Sequence, residues 1–333
     1  MTHAPPMAGH SIEESCRVGD RKPGLFLIGS MKSGTTYLRK LLASHPAIFM
    51  CEPDEPSYFV DPRQLKVIWR DMWERGFWRS EAHYLRLFLS AGDATILGEA
   101  STNYTKLPLV SGVPEKIQAF NPDARFIYLL RDPIQRTISH YWHMVRHHVE
   151  HRSIFRAIRE DNQYLTVSHY AMQIKPYLER FGNDRVAIVT LESLARQPIE
   201  VMRELYEWLG VDMGYADVTG FAQPENVTPE VIRMPLWGGL PRRLRQSPPF
   251  RNIFAAIPQP IQTVLRHFAS RDVRRYSVDL ADTVAYLRPI QRRQTEELAG
   301  MIGREFPEWT TLMEAAAEPS PIPDPGVIGT SNG

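Results

Sequence analysis

Only two cysteines, Cys16 and Cys51, occur in 333 residues. So sparse a set is not the framework of a disulfide-rich secreted domain, and free thiols are expected. Charge of one sign is missing too. The chain carries 39 basic and 38 acidic residues, a formal net charge of +1, which excludes the strong basic excess of a dedicated nucleic-acid binder. Any anion site must therefore be local. Long hydrophobic runs are absent. A membrane span needs roughly 20 apolar residues, whereas Leu25-Phe-Leu-Ile28 and Phe126-Ile-Tyr-Leu-Leu130 have only the length of buried strands. Met1-Thr-His-Ala-Pro-Pro-Met-Ala8 shows no basic cluster followed by an apolar stretch, so no secretory leader is read and the cytoplasm is the expected compartment. The sequons Asn103-Tyr-Thr105 and Asn226-Val-Thr228 are then accidental.

What is present alternates. Leu25–Ile28 reads as a strand buried on both faces, and Thr35 to Ser44 as a helix with Tyr37, Leu38, Leu41 and Leu42 on one side, stopped by His45-Pro46. Further strands are expected at Thr95–Gly98, Arg125–Leu130 and Arg185–Leu191. Helices are expected from Asp132-Pro133 to about His148 and from Pro198 to Leu209 before Gly210. Trp69, Met72, Trp73, Tyr84, Leu87 and Phe88 recur at helical spacing, and a last helix runs from Ala281 to Arg304. Strand–helix alternation predicts an α/β fold. It is read as a single P-loop-type domain, a central parallel sheet flanked by helices, with a helical C-terminal part. The domain is placed at 23–316, after a flexible lead-in (1–22) and before a disordered tail (317–333); Thr219 to Pro260 shows no clear period.

Gly29-Ser-Met-Lys-Ser-Gly-Thr-Thr36 joins the first strand to the first helix. Backbone N–H groups at a helix start, favoured by its dipole, cradle phosphate. The loop adds Lys32 and the hydroxyls of Ser33, Thr35 and Thr36. Lys32 precedes Gly34 by two positions, whereas a Walker A loop sets its Lys directly after the glycine. No strand offers a carboxylate for magnesium; the one at 125–130 ends in Arg131. A transfer site without a metal must neutralise its leaving group with Lys, Arg and backbone dipoles. Arg131 stands where open α/β sheets bind ligands, and the helix after it bears Arg136 and Ser139, a guanidinium and a hydroxyl suited to a second phosphate.

These motifs resemble a family. Gly29-x-x-Lys-x-Gly-Thr-Thr36 is similar to the 5′-phosphosulfate loop of sulfotransferases that use 3′-phosphoadenosine 5′-phosphosulfate (PAPS), and Arg131-Asp-Pro-x-x-Arg-x-x-Ser139-x-Tyr141 to their 3′-phosphate motif. The likeness runs from Gly24 to Gly210, more weakly to Trp309, and points to the branch with bacterial and heparan-type carbohydrate enzymes. It implies that Lys32 stabilises the departing group. Ser33, Gly34, Thr35 and Thr36 would bind the 5′-phosphate, and Arg131 and Ser139 the 3′-phosphate. Adenosine 3′,5′-bisphosphate is released with no metal required. Glu55, before Tyr58-Phe59, matches the branch's catalytic base, and the acceptor would be a glycan or other small metabolite. Ala100 stands where a lysine is expected in Glu99-Ala-Ser101, so Glu99 and Ser101 remain open as acceptor contacts and a second lysine is missing. Arg233 is the candidate contact of a segment closing over the donor.

Other features compete. His140, His143, His147, His148 and His151 invite a metal, but a solvated, partly basic helix face accounts for them. Arg242, Arg243, Arg245 and Arg251 could line an entrance or merely be solvated. The alternative activities are a magnesium-dependent P-loop kinase and a nucleotide-binding adaptor without chemistry.

Overall fold

Alternate residues of each main strand go to two different apolar cores, as expected of a sheet covered on both sides. The computed structural model describes residues 21–216, 229–235 and 270–313. Strands β1 (Leu25–Leu27), β2 (Ile48–Met50), β3 (Ile96–Ala100), β4 (Arg125–Leu130) and β5 (Val186–Thr190) form one parallel sheet in the order β2-β3-β1-β4-β5. Leu25 lies opposite Gly98 on one side and Arg125 on the other. Phe26, Ile28, Phe126, Tyr128 and Leu130 enter one core; Leu25, Leu27, Ile127 and Leu129 enter the other.

Helix α1 (Thr35–Ala43) covers the second core with Leu38, Leu41 and Leu42. Between β2 and β3 the aromatic stretch forms α2 (Pro62–Ile68), α3 (Arg70–Arg75) and α4 (Glu81–Leu85), broken at Gly76, whose φ of 78° ends α3. The first core is closed by α5 (Val113–Phe120), α6 (Pro133–Arg146), α7 (Ile154–Glu160), α8 (Gln163–Thr166) and α9 (Tyr170–Phe181). After β5, α10 (Leu191–Arg196) leads to α11 (Pro198–Leu209), which adds Val201, Met202, Leu205, Tyr206 and Leu209 to the second core. A separate antiparallel pair, β6 (Val231–Pro235) and β7 (Ser270–Arg274), precedes α12 (Ala281–Ile302) and α13 (Thr310–Met313).

The four expected strands are all present, and α11 has the expected bounds. Three differences have local causes. The strand at 48–50 was not foreseen, because three apolar residues after His45-Pro46 have no period to read; His45 Nδ1 accepts from Ala47 N at 3.0 Å and turns the chain onto β3. Strand β6 lies inside the stretch read as aperiodic. The last helix stops at Ile302 rather than Arg304, since Gly303 takes φ 67°. Arg21 and Lys22, at the end of the expected lead-in, are anchored: Arg21 donates to Gly92 O at 3.2 Å and Lys22 pairs with Glu81 at 3.0 Å. The rest of that lead-in and the tail at 317–333 lie outside the described residues, as do Cys16 and the Arg242–Arg251 cluster. Cys51 is a buried free thiol.

Gly98 sits between β1 and β2, and a Cβ there would come within 2.6 Å of Met50 Sδ and 3.2 Å of Leu25 O. Gly98→Ala is therefore expected to destabilise the protein by about 1–3 kcal/mol through overpacking. The check is denaturant unfolding, with a lower midpoint and an unchanged slope.

Candidate active site

β1, β3 and β4 run in one direction, so their carboxyl ends meet at one edge, and each delivers one part of the site. From β1 the chain enters the glycine loop. Ser30 N donates to Leu129 O at 2.6 Å and Leu129 N to Gly29 O at 2.8 Å, which holds the loop against β4. A side chain at Gly29 (φ 140°) would collide with Thr105 Oγ1. Gly34 precedes α1 at φ 93°, and no side chain caps that helix. The N–H groups at its start are thus left for a ligand, and no acidic residue occupies its first turn. Thr35 and Thr36 open the helix and are half-buried. Ser33 differs from expectation in being turned inward: fully buried, its hydroxyl lies 2.9 Å from that of Ser30.

Lys32 occupies the crest of the loop at φ 71°, a left-handed conformation that costs a non-glycine residue about 1–2 kcal/mol. Burial lowers its pKa, and the charges of Arg131 and Arg146 lower it further. Arg131, at the end of β4, donates through Nη1 to Lys32 O at 3.4 Å. It is not simply paired with Asp132, the bland reading of an arginine at a strand end. The Asp132 carboxylate instead accepts from Ile134 N (2.9 Å), Gln135 N (3.1 Å) and Leu312 N (3.1 Å), capping α6. Three cations thus converge where, among the described residues, no carboxylate forms an ion pair with Lys32, Arg131 or Arg146. Glu192 and Asp132 partly offset the charge of Arg131, Arg146 is exposed, and an anion placed by Lys32 would be attracted by all three cations.

Along α6 the second motif divides. Ser139 is half-buried on the helix face. Arg136 is not available to a phosphate. It is wholly buried and bonded to Ser168 Oγ, Tyr164 O and Thr137 Oγ1. Tyr141 is likewise internal, donating to Arg152 O at 2.9 Å. The guanidinium for a second anion is therefore that of Arg131. Arg233 lies in β6 opposite Asp272 in register; the contact expected of its side chain falls outside the described residues.

The end of β3 brings in Glu55. Its N–H donates to Ala100 O at 2.9 Å, tying the segment after β2 to the sheet. Oε1 accepts from Thr102 N (3.1 Å) and Thr102 Oγ1 (2.7 Å), the Asn103 N–H also favours the carboxylate, and Oε2 is enclosed without a hydrogen bond from any described side chain. Glu55, like Lys32, has positive φ, 58°, as do Ser57 and His148, and such strain in non-glycine residues tends to cluster at functional sites. It is not an exposed loop residue. Its neighbours Glu52 and Asp54 take that part, pairing with Arg39. Burial raises the Glu55 pKa, opposed by Lys106 and by the Thr102 hydrogen bonds.

Lys106 is the residue that sequence reasoning missed. Ala100 leaves β3 without a lysine, yet six residues later Lys106 is buried beside Glu55, bonded to Asn103 Oδ1 and 4.6 Å above the Trp69 ring. Nothing in its sequence neighbourhood marks it. Glu99 is fully buried in β3, where burial pushes its carboxyl up to about 8 despite the nearby Tyr104 and Tyr84 hydroxyls. Its raised value favours the protonated form at neutral pH, and its burial leaves no surface contact for an acceptor. Ser101 is also buried, accepting from Ser57 N at 3.1 Å.

The histidines correct another expectation. His140 is buried and its pKa falls well below the ordinary value. His143 is pushed down to about 3 by burial and by Lys32, His147 and Lys106. These two are neutral and lean into the site rather than forming a basic solvated face; His147 and His148 are exposed. Among the described residues, no group of three or more His, Cys, Asp or Glu could hold a metal ion. No helix there is long and apolar enough to cross a membrane.

Comparison with known proteins agrees with this geometry. The model of the "Sulfotransferase family" matches residues 23–216. The mouse bifunctional heparan sulfate N-deacetylase/N-sulfotransferase 3 is 27% identical over 223 residues, covering 62% of this chain and 24% of its own. The Caenorhabditis briggsae N-deacetylase/N-sulfotransferase 1 is 23% identical over 211 residues, covering 56% and 22%. The chain therefore spans only about a quarter of the length of these relatives. A sulfotransferase from Alicyclobacillus acidocaldarius shares the fold with a TM-score of 0.55 at 23% identity, over 87% of this chain and 99% of its own. With more than half of its residues matching the family model, and the glycine loop, Arg131 and Glu55 all within the matched span, this chain belongs to the sulfotransferase family.

Proposed function

We propose that the protein transfers the sulfuryl group of PAPS to the hydroxyl or amine of an acceptor, a glycan or other small metabolite, and releases adenosine 3′,5′-bisphosphate. The observation that carries this reading is the meeting at one sheet edge of an uncapped helix start, two cations, Lys32 and Arg131, that form no ion pair among the described residues, and one enclosed carboxylate. The donor supplies the activated sulfuryl group. The N–H groups of Gly34, Thr35 and Thr36 and the threonine hydroxyls suit its 5′-phosphate, and Arg131 with Ser139 suits the 3′-phosphate. Lys32, held between them, faces the bond that breaks and stabilises the charge that grows on the leaving oxygen. Glu55 takes the acceptor proton through Oε2, the oxygen that Thr102 leaves unbound. In-line placement does the remainder. His143 stands by Lys32 as a neutral imidazole able to hydrogen-bond the acceptor.

A glycan acceptor is supported by the heparan sulfate N-deacetylase/N-sulfotransferase relatives. Sparse cysteine with Cys51 left free fits a reducing compartment, here the cytoplasm. A kinase would need a carboxylate set for magnesium, and the lysine is out of Walker register. The discriminating measurement is donor use. Transfer is expected with PAPS and no added magnesium, and transfer that required ATP and magnesium while ignoring PAPS would reverse the reading.

Two variants test the roles in an acceptor screen with labelled PAPS. Lys32→Ala is expected to lower turnover by about a hundred- to a thousandfold, the usual cost of losing one charge-stabilising donor; normal turnover would remove Lys32 from the chemistry. Glu55→Gln is expected to lower it by at least about a hundredfold. The pH profile gives a third check. Burial raises the Glu55 pKa and its carboxylate form is the active one, so activity is full above that raised value and is lost as pH falls through it. An acid limb centred on the ordinary glutamate value of 4.5 would argue against Glu55 as the base.

A further inference from the structure

The short turn after β3 holds two charged side chains of opposite sign. In the 3-10 turn Thr102–Tyr104, Thr102 binds Oε1 of Glu55 while the adjacent Asn103 binds the Lys106 ammonium through Oδ1. Asn103 Nδ2 in turn donates to Ser57 Oγ at 3.1 Å, two residues beyond Glu55. One turn therefore fixes both groups and the chain between them. We propose that Lys106 is the positioning residue of the base, its ammonium holding Glu55 as a carboxylate with Oε2 free for the acceptor. This rests on Glu55 being the base.

The alternative is a lysine that merely braces the turn. A buried ammonium loses far more in leaving water than one neutral amide and one aromatic face return. A carboxylate is the partner that balances it. Among the described residues the surrounding charges leave one candidate. From β3, Glu99 is held protonated at neutral pH. From α6, Arg136 opposes the ammonium, and His140 and His143 are neutral. Thr102, Asn103 and Trp69 carry no charge. Glu55 is thus the anion in the field of Lys106, and each supports the charged form of the other: Lys106 lowers Glu55, while Glu55 counters the burial that brings Lys106 down to about 8.

A titration that needs no acceptor tests this. The full-length protein is labelled with carboxyl-13C glutamate and titrated by NMR, with the Glu55 resonance identified by its loss in Glu55→Gln. In Lys106→Met the Glu55 midpoint is expected to rise by about one pH unit or more, a tenfold gain in proton affinity. A midpoint within about 0.3 unit of wild type would overturn the proposal. Should Lys106→Met fail to fold, the reciprocal measurement decides. In Glu55→Gln, the Lys106 midpoint, followed with side-chain-13C lysine, must fall by a comparable amount, because coupling is mutual; an unmoved lysine overturns it equally. Turnover separates the two layers. Lost turnover in Glu55→Gln with uncoupled titrations keeps the base and removes Lys106 from its role. Normal turnover in Glu55→Gln removes the base, and the role proposed for Lys106 with it. Lost turnover with coupled titrations is the expected result.

Discussion

The double pairing of β1 is the constraint on which the site depends. This strand of three residues is bonded on both sides, to β3 and to β4. Because all three run parallel, their carboxyl ends face one edge: Leu27 stands level with Ala100, the last residue of β3, and with Ile127, from which β4 runs on to Leu130. The pairing even outlasts the strand, since Ser30 and Gly29 continue the ladder to Leu129, and Ser101 N donates to Leu27 O at 3.0 Å. A glycine loop, an arginine and a glutamate that are far apart in the chain are thereby set side by side. The two-sided core makes this register hard to change, because a slip of one residue would carry every strand side chain to the other layer.

Much of that frame could be read from the chain. Phe126-Ile-Tyr-Leu-Leu130 announces a doubly buried strand, and Asp132-Pro133 announces the helix after it, because the cap and the fixed proline φ are local chemistry. Lys32, Arg131, Ser139 and Glu55 were likewise visible as candidates from motif and order. What stayed hidden depends on three-dimensional neighbours. Strand β2 is too short for a period and exists because β3 offers it an edge. Lys106 and Glu99 look like ordinary polar residues, and only burial makes one a lowered ammonium and the other a carboxylic acid that keeps its proton. The His140 and His143 rings looked basic until their burial and the cations beside them were known.

The site is electrostatically divided. On the loop side, Arg131 and Arg146 both act on Lys32, which forms no ion pair among the described residues, while Glu192 and Asp132 partly offset Arg131. On the β3 side, Glu55 and Lys106 balance locally, and Glu99 beneath them stays neutral. Under the proposed function this division suits the two halves of a transfer: a positive half that gains by receiving phosphate and growing negative charge, and a balanced half that receives a proton. In a low-dielectric setting such pre-set charges act without reorganising at the moment of reaction.

Asp132 also reaches beyond its own helix. One oxygen caps α6, and the other takes the N–H of Leu312. Arg288 and Arg292 bind the carbonyls of Thr311 and Leu312, and Gln135 binds Thr311 Oγ1. The helix that carries Ser139 is thus finished by residues made almost 180 positions later. During synthesis the glycine loop and Arg131 emerge early, but the start of α6 is completed only when the segment around Leu312 has left the ribosome and docked.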